Sequence, residues 1–326
     1  ITANTARIQL MSTFIAVTDV LMSFATVALE NQYCCPVMDD GETIEIKNGR
    51  HPMVEKVNSE VFIANDTLLD SAKNRIMVIT GPNMAGKSTY MRQVALIILL
   101  AQIGSFVPAQ AAHIGLTDRI FTRIGASDDL VGGNSTFMVE MRETAAILKQ
   151  ATAKSFIILD EIGRGTSTFD GLALAWACIE HLADAKCAPK TLFATHYHEL
   201  TGLEDEKENL KNYAILVHEV NGNLVFLRKI TRGKADKSYG IQVAKLAGMP
   251  VSIVNKAKKI LKNLEKTKLH YGGNREDETV DVSLFREISD NEEDVLKQIT
   301  DLDLDNLRPL DALRLLEEWQ DYLKHE

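Results

Sequence analysis

Apolar residues at Ile8, Met11, Ile15, Leu21, Met22, Ala25 and Leu29 recur near a 3.6-residue period and predict one long amphipathic helix over about residues 6–30. Nothing before it supplies a partner, so it reads as the stump of a longer helical region. "YCCPVMDDGETIEIKNGRHP", residues 33–52, reads as short strands and turns. Apolar runs predict further strands at Val61–Ala64, Ile76–Thr80, Phe156–Leu159, Leu192–Thr195 and Val225–Leu227. Several lie beside helical stretches, an alternation that predicts an α/β core with a mostly parallel sheet flanked by helices.

Beyond Lys237 the pattern turns helical. "SYGIQVAKLAG" predicts a helix, Gly248-Met249-Pro250 a turn, and Val251–Lys268 a second helix with Ile253, Ala257, Ile260 and Leu264 on one face. A helix–turn–helix of this kind can meet DNA or serve packing and dimerisation. Residues 269–285 have the polar, Gly-containing composition of a linker. Two short helices are expected at 291–299 and 309–324, the second turning Ala312, Leu315, Leu316, Trp319, Tyr322 and Leu323 inward. So small a module has little core of its own and calls for a partner surface. The organisation expected is therefore 1–32 helical, 33–237 the α/β domain, 238–268 helix–turn–helix, 269–285 linker and 286–326 a C-terminal helical module, with no internal repeat.

Composition narrows the class. A chain of 326 residues can bury a large core. No unbroken apolar run approaches the roughly 18 residues of a membrane span, which predicts no membrane partner. The chain opens on Ile1 without a charged-then-apolar leader, and is expected to be processed or a fragment. Four cysteines, two of them adjacent, form no disulfide framework and fit a cytosolic location. Cys178, His181 and Cys187 lack metal-ligand spacing and read as a buried helix face. The net charge of −9 is uneven, because residues 276–326 carry 17 acidic against 5 basic residues. Residues 228–268 carry 12 basic against 2 acidic, a stretch that can meet phosphates or simply be solvated.

Chemistry enters with "GPNMAGKSTY". Gly81, Gly86, Lys87 and Ser88 fit G-x-x-x-x-G-K-[ST], in which glycines let backbone N–H groups face a polyphosphate. Lysine then reaches the β- and γ-phosphates, and the serine hydroxyl takes a Mg²⁺ position. A strand before the loop and a helix N-terminus after it, Lys87 to Gln102, separate a phosphate loop from a Gly-containing turn that binds nothing. "FIILDEIGRGTSTFDG" presents Asp160 and Glu161 at a strand end, where Asp160 can hold Mg²⁺ through water and Glu161 can orient or deprotonate an attacking water. "VGGNSTFMVEM" reads as a helix start with Gly132 and Gly133 at the bend and Ser135 near the N-cap. "ATHYHEL" puts His196 at a strand end, as a phosphate sensor or, with His198 and Glu199, as a metal site.

The set "FIAND", "TGPNMAGKSTYMRQ", "NSTFMVEM", "LDEIGRGTSTFDG" and "FATHYHEL" resembles the ATPase domain of the MutS family of bacterial mismatch-repair proteins over nearly the whole chain. The resemblance implies a P-loop NTPase of ABC-ATPase type that uses ATP/ADP and Mg²⁺ and works as a head-to-tail homodimer. Gly81, Pro82, Asn83, Met84, Ala85, Gly86, Lys87, Ser88 and Thr89 would then wrap the phosphates, with Ser88 and Asp160 on Mg²⁺. Lys87, Glu161 and His196 would be catalytic, His196 as the switch histidine. Ser135 would touch the partner subunit's ATP, and Phe62 and Ile63 would pack on adenine. Gly163 to Gly171 match the loop that crosses the dimer interface. Two positions depart from relatives: Arg228 stands where a base-stacking ring is found, and Asn134 where some have arginine.

The resemblance further implies MutL as a partner and a cytoplasmic, nucleoid-associated location. Mismatched DNA would be read only through an N-terminal part that this chain lacks. In this family the helix–turn–helix serves dimerisation, and the last helices resemble a self-association region that can build higher oligomers. "DVSLF", Asp281–Phe285, resembles peptides that dock in the sliding clamp, with Asp281 where glutamine is usual. Three rivals remain: a MutS-like paralogue acting in recombination, a non-catalytic dimerisation module, and a transporter ATPase subunit. Intact Lys87, Asp160 and Glu161 argue against the second, and the missing L-S-G-G-Q signature against the third.

Overall fold

The computed structural model describes residues 4–57, 61–83, 85–125, 135–184, 188–220, 223–234, 239–270, 302 and 309–324. Two compact units divide the chain at Leu246/Ala247, inside the stretch read as helix–turn–helix.

In the first unit, six strands form one sheet: β4 (Ile76–Thr80), β6 (Ile120–Ile124), β7 (Phe156–Asp160), β8 (Lys190–Thr195), β9 (Leu210–Val220) and β10 (Asn223–Arg232). Their order is β10-β9-β4-β8-β7-β6, and only the β9–β10 hairpin is antiparallel. A second sheet of four strands has the order β1-β5-β2-β3, from Val37–Asp39, Ala111–Gly115, Ile44–Gly49 and Asn65–Leu69 respectively. The protein is thus α/β, with two mixed sheets flanked by helices.

Strand alternation sorts the core into two layers. Met77 and Ile79 of β4 turn to one side and pack with Met91, Val94, Ile97 and Ile98 of helix α3 (Lys87–Gln102) and with Ile44 and Ile46 of the small sheet. Ile76 and Val78 turn the other way, onto Ala175, Ile179 and Leu182 of α5 (Thr168–Asp184). Being covered on both faces, β4, β7 and β8 are buried along their whole length. Their C-terminal ends are level, with Thr80 opposite Thr195 and Asp160 opposite Ala194. In sheets of this kind ligands bind outside those ends.

Several sequence expectations need correction. The run Val61–Ala64 is not a strand; β3 begins after it at Asn65, where burial alternates along the strand and the even-numbered side chains Asp66 and Leu68 face out. Helix α1 (Thr5–Glu30) has the expected bounds but is not amphipathic: Leu10, Phe14, Val20, Met22 and Leu29 are all exposed, on most sides of the helix. A helix apolar all round is one that larger surroundings would bury. It is also long and apolar enough to cross a membrane, with a mean hydropathy of 1.7. The opposite expectation rested on unbroken runs, and single polar residues interrupt a run without lowering its mean much. Asp19 lies near the middle of α1, where hydrocarbon burial would cost about 3 kcal/mol.

Helix α7 (Gly240–Leu246) closes the first unit. In the second unit, α8 (Val251–His270) half-buries Ala257 and Ile260 as expected, but buries Val254 and leaves Ile253 and Leu264 exposed. It also runs past the expected linker start at residue 269. In α9 (Pro309–Lys324), Ala312, Leu315 and Trp319 are half-buried, whereas Leu316 points to solvent. The helix expected at 291–299 and the docking peptide Asp281–Phe285 lie outside the described residues.

Candidate active site

The chain leaves β4 through Gly81 at φ 139° and enters α3 through Gly86 at φ 108°, backbone conformations that glycine adopts without a Cβ penalty. Gly86 is the N-cap of α3, so the free N–H groups of the first turn and the helix dipole point into the loop. Lys87 folds back over that loop, donating to the carbonyl oxygens of Gly81 at 2.6 Å and Pro82 at 3.2 Å and to Asn83 Oδ1 at 3.2 Å. Burial pushes its ammonium below the ordinary lysine range, against the pull of the Glu161 and Asp160 carboxylates.

Next to Lys87, Ser88 donates to Asp160 Oδ2 at 2.5 Å, which ties the first turn of α3 to the end of β7. Asp160 Oδ1 is buried and has no hydrogen-bond partner. Burial raises the Asp160 pKa, with the Ser88 hydrogen bond opposing. An orphaned carboxylate oxygen beside a hydroxyl is an oxygen donor set that suits a small hard cation such as Mg²⁺. Among the described residues no three His, Cys, Asp or Glu side chains group to hold a metal, and His196, His198 and Glu199 form no such group. Cys187 lies outside the described residues.

Glu161 follows with φ 55°, a left-handed conformation rare for a glutamate. Its N–H donates to Ala194 O at 2.9 Å, and its carboxylate pairs with Arg164 at 2.7 Å. A cavity of about 630 Å³ opens between these elements, lined by Lys87, Ser88, Thr89, Asp160, Glu161 and Arg164 among others. Arg92 and the buried pair Arg123–Glu140, 3.2 Å apart, also line it. Four cations, Lys87, Arg92, Arg123 and Arg164, against three carboxylates, Asp160, Glu161 and Glu140, leave a small positive excess that suits a polyanion.

Ser135 caps α4 (Thr136–Gln150), accepting from Met138 N at 3.2 Å. It is not on the cavity wall, although Thr136 and Glu140 of the same helix are. His196 stands at the end of β8, exposed, with its ring 4.2 Å from that of Tyr197. Partial burial lowers its pKa, so the imidazole is neutral at neutral pH. Phe62 and Ile63 line a second cavity of about 170 Å³, together with Arg228 and with Gly86 and Thr89 of the loop. Asn65 builds this cavity: it donates to Arg228 O at 2.9 Å and accepts from Ile230 N at 2.8 Å across a bulge in β10. Met84, Gly132, Gly133 and Asn134 lie outside the described residues.

Sequence reasoning missed Arg123, Glu140, Tyr197 and Asn65. Asn65, Glu140 and Tyr197 stand inside the stretches "FIAND", "NSTFMVEM" and "FATHYHEL" without a spacing that singles them out, and Arg123 stands in none of them.

Residues 77–265 match the family model described as MutS domain V. The chain is 54% identical to the DNA mismatch repair protein MutS of Caldicellulosiruptor bescii, over 100% of this chain and 38% of that protein. It is 53% identical to that of Acetivibrio thermocellus, over 98% and 37%, and 56% identical to that of Clostridium botulinum, over 87% and 30%. The chain therefore spans less than two fifths of the length of these relatives. With more than half of its residues matched by the family model, the chain belongs to the MutS domain V family.

Proposed function

We propose that this chain is the ATP-hydrolysing, dimerising part of a DNA mismatch-repair protein, in which nucleotide state switches the DNA-bound states of the whole. One observation carries the reading: Lys87 and Ser88 at the start of α3 and Asp160 and Glu161 at the end of β7, two segments far apart in the chain, face one cavity of about 630 Å³. The relatives' common name, DNA mismatch repair protein MutS, favours mismatch repair over recombination.

In this reading the loop Gly81–Thr89 and the α3 N-terminus hold the phosphates, and Lys87 exchanges its carbonyl partners for phosphate oxygens. Ser88 and Asp160 hold Mg²⁺, which supplies charge neutralisation on the leaving phosphates when bound. Glu161 positions and accepts a proton from the attacking water after Arg164 releases its carboxylate. His196, neutral, senses the γ-phosphate by donating its ring N–H to a phosphate oxygen. Phe62, Ile63 and the Arg228 backbone enclose the base. Ser135 sits at the N-terminus of α4, where a second subunit's nucleotide would meet the positive end of a helix. The homodimer, higher assembly through α9, MutL, and a sliding clamp at Asp281–Phe285 are the partners of this reading.

Mixing tests the shared site. Ser135→Ala and Lys87→Ala chains are each expected to hydrolyse Mg·ATP at a small fraction of the wild-type rate. A mixed dimer regains one intact site, so activity rises on mixing. Dimers that form yet never regain activity would exclude a site built from two subunits.

A further inference from the structure

Gly163, two residues beyond Glu161, is buried and gripped from two sides. Its N–H donates to Glu140 Oε1 at 2.6 Å, and its carbonyl accepts from the Tyr197 hydroxyl at 3.2 Å. Glu140 belongs to α4, and its other oxygen is held by Arg123 of β6 at 3.2 Å. Tyr197 follows His196 directly and stacks against it. No side chain fits at this position: φ is 88°, and a Cβ there would strike the backbone of Gly171, which lies close against it. Three elements therefore converge on one glycine, namely α4, the end of β8 and the start of α5.

Glu161 is bonded through its N–H to Ala194, and Arg164, the residue after Gly163, holds its carboxylate. Moving Gly163 moves Arg164 and turns the Glu161 side chain in the cavity. Polar groups this well buried and paired lose little on thermal motion and hold a peptide to a fraction of an ångström. We propose that Glu140 and Tyr197 are positioning residues for Glu161, gripping the N–H and carbonyl of Gly163 so that the position of the base is set jointly by α4 and by the His196 end of β8. The proposal rests on the hydrolytic role given to Glu161 above. It also makes the helix capped by Ser135 mechanically continuous with the carboxylate of its own subunit.

The test uses the full chain with Tyr197→Phe, which deletes one hydroxyl and keeps the ring, and Glu140→Gln, which keeps the shape. Each is expected to lower kcat about 10-fold while KM for ATP stays within about 2-fold, since only the positioning of the water is disturbed. Both act on one residue, so the double variant is expected to be about 10-fold slower, not the roughly 100-fold of independent effects. Amide exchange in the 160–166 segment is expected to quicken about 10-fold in Tyr197→Phe, although that hydroxyl touches a carbonyl and no N–H. Wild-type kcat in both single variants, or a multiplicative double, overturns the proposal. If the wild-type chain fails to hydrolyse Mg·ATP, the hydrolytic reading falls. Unchanged exchange in that segment would then overturn the grip on Gly163 as well.

Discussion

The Ser88 hydroxyl donates to Asp160 Oδ2 at 2.5 Å across 72 positions of sequence, while Asp160 Oδ1 stays buried without a partner. In the proposed reading this pair holds Mg²⁺. Asp160→Asn is expected to fold and to bind ATP without Mg²⁺ within about 2-fold of wild type. The gain in affinity on adding Mg²⁺ is expected to disappear, and hydrolysis to fall about 100-fold or more. Calorimetric titration with and without Mg²⁺ reads this, and an undiminished Mg²⁺ effect would remove Asp160 from the cation.

Lys87 is held against the loop by three oxygens, all of them neutral. Removal of the ammonium frees those acceptors to solvent in the cavity and deletes the main cation facing the phosphates. Lys87→Ala is expected to weaken ATP binding about 100-fold, the scale of a charge-assisted contact of roughly 3 kcal/mol, with little change in melting temperature. Equilibrium binding of a fluorescent ATP analogue decides it.

Asn65 holds the base cavity together. Beyond its bonds to Arg228 and Ile230 it donates to Ile63 O at 3.2 Å, so one side chain links the Phe62–Ile63 segment to β10. Asn65→Ala leaves the buried Ile230 N–H without its acceptor and is expected to cost about 2 kcal/mol in denaturant unfolding. ATP affinity is expected to fall with it, while inorganic tripolyphosphate binds as before. Equal losses for both ligands would separate this cavity from the base.

Stability is expected to depend on pH through His51. The side chain is 8% exposed, and its Nδ1 accepts from Met53 N and Val54 N, both at 3.3 Å. Burial, helped by Arg92, lowers its pKa below 6.5. The unfolded chain therefore binds the proton first as pH falls. The stabilisation is complete above pH 6.5 and is lost as pH falls from there through the folded value. His51→Asn keeps an acceptor and cannot charge, so its unfolding free energy is expected to be flatter between pH 7 and 5. An unchanged slope would assign the dependence to other groups such as His196.

The loop and its flanks were legible because their punctuation is local. Glycine at 81 and 86 brackets the turn, and the strand at Ile76–Thr80 and the helix at Lys87–Gln102 stand where the pattern puts them. The apolar run Val61–Ala64 misled, since apolar residues there line a ligand-sized cavity instead of a sheet face. Leu316 misled for a related reason, as an apolar helix position does not say which side finds cover. Gly163 was legible as part of a loop, but its meeting with Glu140 and Tyr197 was not, because it is made by tertiary contacts spanning 23 and 34 positions, with no spacing rule to mark them.

Hydrolysis itself is the central claim, and Glu161 is where it is tested most directly. The measurement is single-turnover phosphate release from Mg·ATP, with ATP binding followed in parallel, for the wild-type chain and for Glu161→Gln. Glu161→Gln keeps the side chain's length and removes its capacity to take a proton. The predicted result is ATP binding within about 3-fold of wild type and phosphate release slowed about 100-fold or more. Phosphate release at the wild-type rate in Glu161→Gln, or none from the wild-type chain as a formed dimer, would contradict it.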